Sequence, residues 1–163
     1  MTTPKKVIIF LDFDGVLNSR PWLARPSDPG DAGALLDADA VARVDRLCAL
    51  GGAEIVISSS WRVTHTLPVL TALLRQKGLI HPEILDATPM IPHKRGRGQE
   101  IQAWLDAALA ARGLAIEGMA ILDDQTDLLH LMPWLVETPF EPGFTDSHLP
   151  LALEILGREM PPR

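Results

Sequence analysis

The chain has 163 residues, 47% of them hydrophobic, and a formal charge of −6, enough for one domain with its own core and too little for two. This acidic balance excludes the broad basic face that grips duplex DNA through its phosphates, while leaving room for a small local basic site. A single cysteine, Cys48, excludes an internal disulfide or a paired-thiol metal site. With a first apolar run too short for a signal-peptide core or a membrane span, this points to a reducing cytoplasm and no membrane partner.

Taken in chain order, the pattern alternates strand and helix. Val7 to Leu11 is a continuous apolar run, the pattern of a strand buried on both faces. Asp39 to Leu50 repeats apolar residues at Val41, Val44, Leu47 and Leu50 with helical spacing and stops at Gly51-Gly52. Glu54 to Ser58 reads as a second strand, and Leu67 to Lys77 as a helix closed by Gly78. Gln99 to Gly113 is the clearest helix, with Ile101, Leu105 and Leu109 on one face and Trp104 beside them. Met119 to Leu122 is a third strand, followed by a short helix, an edge strand at Leu135 to Thr138 and a last helix after Thr145. Arg20 to Gly33 and Leu85 to Gly98, rich in proline and glycine, read as loops, and loops of that length are usually functional or mobile. Strand and helix in alternation predict an α/β fold with a mostly parallel sheet covered on both faces.

The acidic residues fall at strand ends. Asp12 and Asp14 follow the first strand, Ser58, Ser59 and Ser60 the second, and Asp123 and Asp124 the third, with Asp127 beyond. In an open parallel sheet the ligand crevice lies outside the carboxyl ends of the strands, so these groups converge there. One aspartate at a strand end is ordinarily a helix cap or turn former. Two acidic clusters on two buried strands, with hydroxyls on a third, call for a cation to hold them charged, and hard oxygen ligands of this kind suit Mg²⁺. The five histidines are scattered without ligand spacing, Trp22, Trp104 and Trp134 are core or interface candidates, and Trp61 reads as packing.

With Asp12-Phe13-Asp14-Gly15, Ser58 in "VISSSWR" and the acidic pair in "ILDDQTD", the chain resembles the haloacid dehalogenase superfamily of phosphohydrolases. The segments "SSSWR" and "RGQEIQAWL" are similar to the domains of this superfamily found in Swiss Army Knife RNA-repair proteins and to the phosphatase half of polynucleotide kinase-phosphatases. The resemblance implies a single Rossmann-like three-layer α/β/α domain over residues 1–163 and Mg²⁺-dependent phosphomonoester hydrolysis. It implies Asp12 as nucleophile, Asp14 as general acid and base, and Ser58 as a phosphoryl hydrogen-bond donor. Asp12, the Asp14 carbonyl, Asp123 and Asp124 would hold the metal, and Gly15, Ser59 and Arg62 would meet the substrate. Ser59 and Ser60 stand beside Ser58 as alternatives. The superfamily's third motif is usually a lysine; here Lys94, Arg95 and Arg97 are all available. Arg97 fits the subgroup pattern and Lys94 the superfamily chemistry.

No interval between the motifs holds a cap domain, and the open site this implies suits a macromolecular end. The substrate expected is a phosphorylated one, a nucleic-acid end first, with a phosphoprotein or small-metabolite phosphate as the alternative and a non-catalytic Mg²⁺-binding module as the rival class. A response-regulator receiver is disfavoured, because its phosphoacceptor aspartate sits mid-chain, where this sequence has only "SSSWR".

Overall fold

The computed structural model describes residues 2–92 and 96–160. Strand β1 (Lys5–Leu11) is apolar from Val7 onward, and Ile8 to Leu11 have no exposed surface, which requires neighbours on both edges and cover on both faces. Strands β2 (Ala53–Ile57) and β4 (Ala115–Asp123) pair with its two edges; β3 (Ile84–Ala87) and β5 (Leu135–Glu137) close the ends. The result is an all-parallel five-stranded sheet in the order β3-β2-β1-β4-β5.

The helices are built from the same elementary signals. Helix α2 (Ala38–Gly51) starts where the Asp37 carboxylate accepts from the Asp39 amide at 2.9 Å and ends at Gly52 in a left-handed conformation. It buries Val41, Val44, Leu47 and Cys48 and packs against α5 (Leu149–Leu156). Helix α3 (Leu67–Gln76) opens with Pro68 in its first turn. Helix α4 (Arg97–Arg112) buries Ile101, Trp104, Leu105 and Ala108, and Trp104 meets Phe10 of β1 edge to face at 5.5 Å. The expected Rossmann-like arrangement of a parallel sheet flanked by helices is therefore present. The chain runs from β1 outward through β2 to β3, then crosses back through α4 to β4 on the other edge of β1. The reversal makes the carboxyl ends of β1 and β4 a topological switch point, the usual place for a ligand in such sheets.

Several local expectations are corrected. Within the stretch from Leu85 read as loop, Ile84–Ala87 is an edge strand; four half-buried residues with an aspartate among them leave no periodicity to detect. The other long loop contains a one-turn helix, α1 (Arg20–Leu23), which Ser19 caps, and a 3₁₀ turn at Ala32–Leu35. Helix α4 begins two residues earlier than its apolar pattern, and Leu109 is 40% exposed, its place in the buried stripe taken by Ala108. Ser58 lies just past β2 rather than within it.

Candidate active site

Each strand hands its next residue to the neighbouring strand, which fixes the site's floor. The Asp12 amide donates to the Leu122 carbonyl at 3.0 Å and the Ser58 amide to Leu11 at 2.8 Å, while Leu11 and Leu122 lie in register. Asp12 and Asp123 thus emerge side by side, both buried. One carboxylate oxygen from each of Asp12, Asp123 and Asp124 falls within 4.8 Å of the others.

Arg97, in the first turn of α4 and only 8% exposed, reaches into this cluster. Its Nε lies 3.1 Å from Asp123 Oδ2 and a terminal nitrogen lies 3.5 Å from Asp12 Oδ2; another donates to the Ser58 carbonyl. Among the described residues no N–H is directed at Asp123 Oδ2, which is buried and without a hydrogen bond. Burial pushes Asp12 above the ordinary carboxylate range, against the opposing pull of Arg97, the Phe13 amide and the Ser59 hydroxyl. Burial and the neighbouring Asp12 push Asp123 up to about 8, and burial raises Asp124. Fully ionised, three carboxylates against one guanidinium would leave two negative charges in excess. Hard oxygen donors, an unsatisfied buried oxygen and that excess fit a small divalent cation such as Mg²⁺.

Asp14 is held differently. Its Oδ1 accepts from Asn18 Nδ2 at 2.9 Å and its Oδ2 from the Trp61 indole nitrogen at 3.1 Å, and the residue is half-buried rather than buried. Asn18 Oδ1 in turn accepts from the Gly15 amide at 3.0 Å, and Thr138 Oγ1 donates to the Gly15 carbonyl at 2.7 Å. Gly15 has φ +78°, and a Cβ there would lie 2.8 Å from the Asp124 side chain, so both backbone conformation and close approach require glycine.

Of the three serines, Ser58 and Ser59 are fully buried and Ser60 is exposed. Ser58 Oγ has no hydrogen-bond partner among the described residues, whereas Ser59 Oγ accepts from the Trp61 amide at 3.2 Å. Arg62, expected to fork onto phosphate, has its guanidinium engaged by the protein. Its guanidinium donates to Thr88 O at 3.0 Å, Ser59 O at 2.6 Å and Glu100 Oε2 at 2.6 Å, so it braces the serine turn against α4. Lys94, with Arg95, lies outside the described residues. Asn18 and the Trp61 bond to Asp14 escaped sequence reasoning; an asparagine four residues after Asp14 in an apolar stretch was the one available signal.

No curated protein and no solved structure matches the chain. The strand-end acids, the buried serine and the arginine opposite them all fall within residues 8–149, and these match the family described as the HAD domain in Swiss Army Knife RNA repair proteins; the chain belongs to that family of haloacid dehalogenase domains.

Proposed function

We propose that the chain is a Mg²⁺-dependent phosphomonoester hydrolase that works through an aspartyl-phosphate on Asp12 and acts on the terminal phosphate of a nucleic-acid end. The observation that carries the reading is the contrast between two aspartates two positions apart. Asp12 is buried beside Arg97, whereas Asp14 is half-buried with both oxygens anchored, by Asn18 and by Trp61. The first suits a nucleophile and the second a proton carrier at the edge of the site.

An Asp12 oxygen attacks phosphorus and the ester oxygen leaves with a proton from Asp14. Asp14, now a carboxylate, takes a proton from the water that attacks the phosphoenzyme, releasing phosphate and restoring Asp12. The Ser58 hydroxyl, with no other partner among the described residues, and the Arg97 guanidinium bind the phosphoryl oxygens and stabilise the charge that develops there. Asp12, Asp123, Asp124 and the Asp14 carbonyl would hold Mg²⁺, which neutralises phosphoryl charge and polarises its oxygens. The family's association with RNA repair supports a nucleic-acid end as the substrate. An end needs only a few local cations, so the net charge of −6 is compatible with it.

Hydrolysis of a simple phosphomonoester with Mg²⁺ is the test. Activity that disappears with chelator and with Asp12→Asn supports the proposal; full turnover in excess chelator, or a wild-type rate in Asp12→Asn, refutes it.

A further inference from the structure

Asp14 forms one wall of a cleft of about 480 Å³ whose other walls include Trp61, His65 and Phe140, with Leu23 and Leu35. The Trp61 and His65 rings stack at 5.8 Å with 28° between their planes, and Phe13 braces Trp61 edge-on at 5.3 Å. Among the described residues, the lining contains no lysine or arginine. A second cleft of about 210 Å³ shares Leu23 and Leu35 with the first and carries Arg25 and Lys77. There Trp22 holds the Arg25 guanidinium 4.3 Å from its ring centroid.

If Asp14 protonates the departing oxygen, as proposed above, the group that leaves with that oxygen sits in the first cleft. The hydroxyls of a leaving sugar find few polar partners there, and an acidic peptide finds no cation among the described residues. A flat heteroaromatic ring finds the aromatic side chains of Trp61, His65 and Phe140 and aliphatic walls. The cations come one cleft further on, where a strand's next backbone phosphate would lie. Aromatic side chains for the bases combined with cations for the backbone is the way single strands are bound.

We infer that the cleft beside Asp14 takes the base of the terminal nucleotide of an unpaired nucleic-acid end, and that Arg25 and Lys77 meet the adjacent phosphodiester. The inference rests on the phosphatase reading but adds a requirement which that reading lacks, namely a base. Pairing along its edge and stacking on its neighbour would hold the base in the duplex and out of the cleft, so the end must be single-stranded or frayed.

The test compares kcat/KM, in Mg²⁺, for an end-phosphorylated dinucleotide, the same molecule without its terminal base, the mononucleotide and glycerol phosphate. Both 3′- and 5′-phosphorylated forms are measured and the better is used. Removing the base is expected to lower kcat/KM by at least about tenfold. Phe140→Ala and His65→Ala should shrink that ratio. Arg25→Gln with Lys77→Gln should remove the dinucleotide's advantage over the mononucleotide and flatten its salt dependence. Turnover of glycerol phosphate with equal efficiency on base-bearing and abasic ends overturns the base pocket and leaves the phosphatase standing. A base effect that neither pocket variant changes also overturns it, because the base then lies elsewhere. Failure to hydrolyse any of the four esters overturns the phosphatase reading itself.

Discussion

Arg97 makes three contacts from one planar head group, to Asp12, to Asp123 and to the Ser58 carbonyl, a fork that a lysine ammonium cannot reproduce. Arg97→Lys should therefore keep a positive charge but lose about 10²-fold in kcat/KM, and Arg97→Ala more, on the scale of a lost transition-state donor. Steady-state kinetics check this; a lysine variant at full rate would reduce Arg97 to a counter-charge. Trp61 presents a second residue-scale case. Trp61→Phe keeps a ring against Phe13 and removes the N–H that Asp14 accepts, so kcat should fall several-fold while melting temperature stays close to wild type. The acids at positions 12, 14, 123 and 124 were legible in the sequence because a strand end is a local feature. The Trp61 bond spans 47 residues, and no local pattern encodes a contact made only when β1 and β2 lie side by side.

Between elements, position depends on close approach. A Cβ on Gly98 would lie 2.6 Å from the Leu128 carbonyl oxygen, so the first turn of α4 rests directly on backbone, next to Arg97. Gly98→Ala should cost about 1–3 kcal/mol in denaturant unfolding, the usual scale of overpacking, and should lower activity as well by displacing Arg97. On the other side of the fold, α2 anchors the approach to β3 through Asp45. This carboxylate accepts from the Ile80 and His81 amides at 2.6 and 2.8 Å and meets His81 Nδ1 at 2.6 Å. Burial alone would raise its pKa, but these bonds outweigh burial and hold it below the ordinary range. A lowered folded-state pKa contributes stability above the unfolded value that is lost as pH falls through the folded one. Asp45→Asn should accordingly destabilise at neutral pH and narrow its gap from wild type in acid, as thermal melts across pH will show. The long amphipathic helices were legible because they repeat a pattern over three or more turns. Strand β3 was not, since an edge strand of four half-buried residues repeats nothing, and the start of α4 was displaced because Arg97 belongs to the site rather than to the apolar stripe.

At the scale of the whole molecule, the sheet order turns scattered acids into one cluster and leaves it with excess negative charge. Without metal, burial and Asp12 push Asp123 up to about 8, so between the ordinary carboxylate range and that value the native state should hold a proton that the unfolded chain releases. Stability of the apo form should therefore decrease as pH rises through this window. Added Mg²⁺ should raise Tm more at pH 8 than at pH 6, because it replaces that proton and binds the native state alone; a pH-independent Mg²⁺ effect would contradict the assignment of Asp123 as a ligand. The central claim is covalent chemistry at Asp12, and phosphoenzyme capture tests it most directly. Asp14→Asn is mixed with p-nitrophenyl phosphate and Mg²⁺, quenched in acid and mapped by peptide mass spectrometry. The nitrophenolate departs without needing a proton, while the water of the second step has lost its base. The account predicts one phosphoryl group on Asp12, absent with chelator; product formed with no phosphoryl group on the protein at any time, or no reaction at all, would contradict it.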